Sequence, residues 1–288
     1  MLPPNPEPLN PKGKYLIVNA DDYNTDSERN RGILEAVSKG IVTSVSVLAN
    51  MPCEENTLTE LKNTLGPRIG IHLNLTRGKP LCSGLKTLTH KTGYFFTKQT
   101  AWRKALLGLY DLQETEKELS AQIEHLMSSG MLPDHMDGNN HIHVFPGIAT
   151  VVARLAKQYR IRKVRLPLES FSSPKQYWQP PALKKYFIGL LAKRARQVFK
   201  NHGLCFTDHF AGIQFPAVAN TASLRAFLQT LPQGVTELMC HPGFKNYTRN
   251  PFSTEEREQE LYSLTHQDVL EDIRRLNINL ISYSELVQ

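Results

Sequence analysis

The sequence predicts a single α/β domain, a distorted (β/α) TIM-like barrel. Three observations carry this. Short apolar runs alternate with amphipathic stretches about eight times along the chain. The 288 residues suffice for one large barrel whose core needs no disulfide or metal to hold it. Polar residues suited to chemistry recur at the downstream ends of the strands, where such barrels gather their working groups.

The elements follow in order. Residues 1–13 are rich in proline and read as an extended lead-in, so the barrel domain spans 14–288. Tyr15–Asn19 is an apolar run typical of a buried strand. Asp26 or Ser27 can cap the next helix, which buries Ile33, Leu34 and Val37 and ends at Gly40. Ile41–Ala49 reads as a strand, Thr57–Leu65 as a helix and the alternating Arg68–Thr76 as a third strand. Residues 77–111 are less regular and read as an insertion, a candidate lid. Glu114–Ser129 is a helix, and a strand follows near Asp134–Asp137. Pro146 opens a helix that Ile148–Tyr159 continues. Lys163–Leu166 is a strand, Ala182–His202 a basic helix and Asp208–Ile213 a strand. Thr221–Leu231 is a helix and Val235–Cys240 a strand. Ser253 can cap a helix that carries Glu255 and Glu256 at its positive end. A helix at Asp268–Leu276 and a strand at Ile278–Ser282 close the chain.

Composition narrows the class. With 40% hydrophobic and 21% charged residues, disordered, collagen-like and coiled-coil chains are excluded. No run approaches the roughly 18 apolar residues of a membrane helix. No basic-then-apolar leader opens the chain, so a cytoplasmic protein is expected. Cys53, Cys82, Cys205 and Cys240 form no C-x-x-C pair and read as buried free thiols. The net charge of +7 is local in origin: residues 154–200 hold thirteen Lys and Arg against one acid, Glu169. That stretch is either a solvated helix face or a patch for an anion such as a phosphorylated sugar or a lipid head group. It lacks an aromatic stacking platform, and no nucleic-acid partner is expected.

Five constellations could carry chemistry. Asp21 and Asp22 are adjacent carboxylates at a strand end, and a divalent cation would relieve their repulsion. The plain alternative is a turn or cap pair. His72 shares the polar face of its strand with Asn74, which suits a ligand, though a structural role is open. Residues 134–143 hold three His and two Asp; at period two, Asp137, Asn139, His141 and His143 would share a face. His241 ends an apolar strand before Pro-Gly, and Arg165 ends another before Leu166-Pro167. With Asn50, these are the candidate site residues. Metal-activated water, a carboxylate base and a His acid together suit hydrolysis of an amide or ester. No P-loop, G-x-G-x-x-G or G-x-S-x-G is present, which disfavours nucleotide chemistry and a serine hydrolase.

On these residues the chain resembles the YdjC-like carbohydrate deacetylases. The matching pieces are Leu16-Ile-Val-Asn-Ala-Asp-Asp-Tyr23, Asn30-Arg-Gly-Ile-Leu-Glu-Ala36, Gly40-Ile-Val-Thr-Ser44 and Gly70-Ile-His-Leu-Asn-Leu75. Pro133-Asp-His-Met-Asp137, His141-Ile-His143, Cys240-His-Pro-Gly243 and Arg257-Glu-Gln-Glu-Leu261 continue the order. The resemblance implies a metal-dependent hydrolase that removes an acetyl group from an N-acetylated sugar, in an oligosaccharide or a glycolipid. It implies Asp21 as general base, His241 as general acid and Arg165 as the group orienting Asp21. Asp22 and His72 would be ligands of one divalent ion, Mg²⁺ or Zn²⁺. Where the family commonly carries a third His ligand this chain has Asn139, a neutral and harder donor, with His141 or His143 as substitutes. Asn50, Asn74, Asp137 and His143 are candidate substrate contacts. The alternative function is a carbohydrate- or glycolipid-binding protein whose metal site is weakened or lost. The oligomeric state stays open, a homodimer included.

Overall fold

The apolar runs form eight parallel strands, and the amphipathic stretches form helices outside them. The computed structural model describes residues 9–52, 56–169, 180–213, 218–245 and 254–286, with side chains of the last helix before β6 described from Tyr186 onward. The strands are β1 (Lys14–Tyr23), β2 (Ser44–Val47), β3 (Ile69–Leu73), β4 (His135–Gly138), β5 (Lys163–Val164), β6 (His209–Ala211), β7 (Gly234–Cys240) and β8 (Ile278–Leu280). The helices are α1 (Ser27–Lys39), α2 (Thr57–Leu65), α3 (Lys98–Leu106), α4 (Leu112–Ser128), α5 (Ile148–Gln158), α6 (Pro180–Asn201), α7 (Thr221–Gln229), α8 (Glu255–Thr265) and α9 (Gln267–Arg275).

The sheet runs β5-β4-β3-β2-β1-β7-β6. Parallel bridges from Lys163 to Cys205 and from Glu169 to Phe210 join its two ends. The expected barrel is therefore present, and its distortion has a clear origin. β7 pairs with β1 along seven residues, Lys14–Ala20 against 234–240. β8 cannot enter between them. It pairs instead with Lys14–Leu16 on the opposite edge, below the point where β2 pairs with Asn19 and Ala20.

Outward strand residues and inward helix stripes make the main core. Ile33 and Ala36 of α1 and Val151, Val152 and Leu155 of α5 are fully buried there. A smaller cluster of Ile17, Val235, Ile281, Tyr283 and Leu286 plugs the lower end of the barrel. Above the plug the inward residues turn polar, and that is where the site begins.

Boundaries shift in places. Asp26 does cap α1, accepting from Arg29 N–H at 2.9 Å. The strand expected over 41–49 narrows to Ser44–Val47 and that over 68–76 to Ile69–Leu73. α4 starts at Leu112 because the Asp111 carboxylate accepts from the N–H of Gln113 at 2.7 Å. The stretch 77–111 contains α3, and its backbone is tied to α4. Glu118 accepts from Leu81 and Cys82 N–H, and Glu114 from Lys86 and Thr87 N–H. Cys240 is buried, while Cys82 and Cys205 are half-buried thiols. Cys53, Ser253 and the Lys184 and Lys185 side chains lie outside the described residues.

Candidate active site

Asp21 and Asp22 both reach the site because β1 ends irregularly. Its pairing with β2 shifts register between Ala20 and Tyr23, and Asp22 adopts φ 71°. Asp tolerates that left-handed backbone better than most residues. The irregularity lets two adjacent carboxylates, which an ideal strand would send to opposite faces, line one cavity.

Arg165, fully buried at the end of β5, organises the carboxylates. Its Nη1 and Nη2 donate to Asp21 Oδ2 and Oδ1 at 2.6 and 2.7 Å. Nη1 also lies 2.8 Å from Asp137 Oδ2, and Nε donates to Glu237 Oε1 at 2.7 Å. This is a planar fork matched to three acids, a task a lysine could not perform. Asn19 Nδ2 supplies a further bond to Asp21 at 2.8 Å. Burial raises the Glu237 carboxyl above its usual value although Arg165 and the Tyr283 hydroxyl pull it down. Burial also opposes ionisation of Asp137, but Arg165 and His72 overcome it and hold Asp137 well below the carboxylate range.

His72 lies on the inward face of β3. Its Nδ1 is 2.7 Å from Asp137 Oδ1, and its Nε2 is 3.7 Å from Asp22 Oδ1. A carboxylate behind a His that aims its other nitrogen at a second carboxylate is how proteins orient a metal-ligating imidazole. Burial alone would lower its pKa, but Asp137, Asp21 and Asp22 outweigh burial and raise it to about 9.

The segment after β4 departs from expectation. The strand stops at Gly138, and 139–144 is a tight helical turn in which Asn140 and His141 take φ 55° and 57°. Period-two spacing therefore does not hold, and the four residues do not share a face. Asn139 and His141 line the cavity, while Asp137 and His143 are fully buried beneath it. Asn139 donates to Asn74 Oδ1 at 3.1 Å, and its Oδ1 accepts from Asn140 at 3.2 Å. His143 packs on Gly138, where a Cβ would lie 2.8 Å from its ring, and its Nε2 is 3.1 Å from the Arg165 carbonyl oxygen. Burial drives the His143 pKa down to about 4.

His241, at the end of β7, faces the same cavity from the opposite wall to His72 along the sheet order. Its backbone N–H donates to Glu260 Oε2 at 2.6 Å, and Glu260 accepts from Arg257 at 2.5 Å. Burial of the ring and the neighbouring cations Arg257, Arg29 and Arg165 push its pKa well below the ordinary value.

Asn50 and Asn74 are committed to architecture. Asn50 Nδ2 donates to the carbonyls of Arg77 and Lys79, and Asn74 Nδ2 to Asn50 Oδ1 and to the Arg77 carbonyl. They brace the loop after β3, whose Thr76 and Arg77 form part of the cavity wall. The cavity itself measures about 760 Å³. At its floor, Asp21, His72 and Asp137 bring ligand atoms within 4.8 Å of one another, a group that could hold a metal ion. Hydrogen bonding distinguishes among the donors. The oxygens of Asp21 and Asp137 are occupied by Arg165, Asn19, Ser46 and His72, which leaves His72 Nε2 and the Asp22 carboxylate turned toward the cavity.

The YdjC-like protein family matches residues 15–275. This chain belongs to the YdjC-like family. Among its YdjC-like relatives are carbohydrate deacetylases from Geobacillus stearothermophilus and Xenopus laevis. The first is 30% identical over 275 residues, covering 94% of this chain and 98% of the relative. The second is 32% identical over 258 residues, covering 82% and 83%. The fold is similar to a solved structure from Enterococcus faecalis V583, described as a candidate for cellobiose-phosphate cleavage. The TM-score is 0.77 at 26% identity, with 96% of this chain and 100% of that chain covered.

Several residues of this YdjC-like site escape a reading of the sequence. Ser46 donates to Asp137 at 2.9 Å, and Tyr283 donates to Glu237 at 2.5 Å. Glu260 and Arg257, within the Arg257–Leu261 stretch that carried the resemblance, support the His241 wall. Glu237 had a usable signal: it is a carboxylate in register with Val235 and Met239 within an apolar strand.

Proposed function

We propose that this YdjC-like protein removes the acetyl group from an N-acetylated sugar with the help of one divalent metal ion. The observation that carries the reading is the line Asp137–His72–Asp22, in which His72 Nδ1 meets a buried carboxylate and Nε2 faces a second one at the cavity floor. The donors fit a hard or borderline divalent ion: one imidazole, one carboxylate, and the Asn139 amide or His141 on the adjacent wall. Such an ion, when bound, would polarise the acetyl carbonyl and lower the pKa of water.

The chain supplies the rest. Asp21, held by both Arg165 Nη atoms and Asn19, is oriented to take a proton from the attacking water. His241, at the end of the adjacent β7, would donate a proton to the departing amine, and must first take one up because burial and the nearby cations disfavour its charged form. β1 and β7, paired along their length, end side by side in the site, which supports giving the two roles to Asp21 and His241. The binding-protein reading draws on Asn139, whose Oδ1 already accepts from Asn140.

Acetate release from N-acetylglucosamine oligomers tests the proposal, using protein stripped of metal and resupplied with Mg²⁺, Zn²⁺, Mn²⁺ or Co²⁺. Metal-dependent acetate is expected, abolished by Asp21→Asn with the fold intact. Sugar binding without acetate under any metal would establish the binding-protein reading instead.

A further inference from the structure

Large hydrophobic residues left in water are not spread evenly over this chain. Ten are exposed among the described residues, and six of them fall in two short stretches: Leu106, Leu107, Leu109 and Leu112 from the end of α3 to the start of α4, and Tyr186 and Leu190 on α6. Leu107 is 65% exposed and Tyr186 69%. The stretches meet in space. The Trp102 ring of α3 lies 5.6 Å from the Phe187 ring of α6. Leu106 is one turn beyond Trp102, and Leu190 is one turn beyond Phe187. A surface apolar cluster of this kind marks an interaction site.

The charge beside it selects the partner. The outer face of α6 passes from Tyr186 and Leu190 directly into exposed Lys193, Arg194 and Lys200, with Arg196 alongside. α6 contains no acidic residue. On α3, Arg103 and Lys104 precede the leucines. A second copy of the chain laid on this face would set cations against cations. An anionic bilayer would accept the leucines among its acyl chains and the cations among its head groups. Among the described residues no helix is long and apolar enough to cross a membrane, so the association would be peripheral.

We propose that the α3–α6 face is a docking surface for an anionic lipid bilayer. Its position gives the docking a purpose. Thr97, Lys98 and Gln99, at the start of α3, line the cavity. The helix spans about 12 Å from there to Leu106 at 1.5 Å per residue. The Trp102 indole N–H also donates to the Asn140 carbonyl at 3.1 Å, fixing α3 against the turn that carries Asn139 and His141. A protein seated on this face would hold its cavity mouth beside the head-group layer, within reach of a sugar carried on a lipid. That last consequence rests on the deacetylase reading; the docking does not.

Sedimentation with lipid vesicles tests it without any activity measurement. Vesicles of phosphatidylcholine with about 30% phosphatidylglycerol are compared with pure phosphatidylcholine, at low and high salt. Binding to the anionic vesicles alone, reversed by salt, is expected. The pair Leu107→Asp and Leu109→Asp, and separately Lys193→Glu and Arg194→Glu, should each weaken it about tenfold or more. If the aspartates impair folding, Leu107→Ser with Leu109→Ser carries the same test. Failure to bind, or equal binding to neutral and anionic vesicles, overturns the proposal. So does a wild-type dimer that the leucine pair converts to monomer, since the face would then be a self-interface.

Discussion

Arg165 grips Asp21 with two parallel hydrogen bonds, 2.6 Å from Nη1 to Oδ2 and 2.7 Å from Nη2 to Oδ1, and both residues are buried. The same guanidinium serves Asp137 and Glu237. Replacing it by Met strands three buried carboxylates, and breaking such a buried pairing costs about 3–5 kcal/mol. Arg165→Met should therefore lower the urea midpoint sharply. Arg165→Lys, which keeps the charge without the fork, should fold better than Arg165→Met yet lose about 100-fold or more in turnover through misplacement of Asp21.

Gly70 lies where a Cβ would come within 2.2 Å of the His135 ring. That ring stacks on Tyr283 at 4.0 Å and is 3.1 Å from Ser46 Oγ, so it has nowhere to retreat. Gly70→Ala should cost about 1–3 kcal/mol by overpacking. Thermal unfolding reads the shift, and an unchanged midpoint would show that the barrel floor yields more easily than its packing implies.

On the proposed metal-site reading, His72 would make metal binding depend on pH. Its pKa, raised to about 9, leaves the imidazole protonated at neutral pH in the metal-free chain, and a metal must displace that proton. Affinity should rise about tenfold for each pH unit until pH approaches 9, as measured by competition with a chelator of known affinity. Stability of the metal-free chain should move the other way. The folded pKa exceeds the unfolded one, so the gain is full below about 6.5 and is lost as pH rises through about 9. Urea titrations across that window check the sign, and His72→Asn should flatten both trends.

Asn139 stands on the cavity wall where an imidazole would be a stronger donor to a borderline metal. Asn139→His should tighten Zn²⁺ by about tenfold or more while changing Mg²⁺ little. Calorimetry with each ion decides, and equal effects on both would remove Asn139 from the ligand set.

Much of this was visible in the sequence, for a definite reason. A parallel barrel sends strand-end residues to one rim, so locating the strands was enough to gather Asp21, Asp22, His72, Arg165 and His241. The turn at 139–144 was not visible. Two successive left-handed residues, Asn140 and His141, break the alternation, and neither is a glycine that would announce the break. Ser46 and Tyr283 stayed hidden because their contacts depend on register between strands distant in the chain. Asn50 and Asn74 were candidate substrate contacts by their place at strand ends. Their donors are spent on loop carbonyls, which only the three-dimensional path of residues 77–79 reveals.

The displaced eighth strand has a consequence for the order of assembly. Tyr283, just past β8, bonds Glu237, which bonds Arg165, which bonds Asp21. The relay ties one end of the barrel's sequence to the other through its most buried cation. While a ribosome is still delivering β8, Glu237 lacks its phenol, though the guanidinium already has Asp21 and Asp137. The last strand thus adds a hydrogen bond to the buried network that holds Asp21.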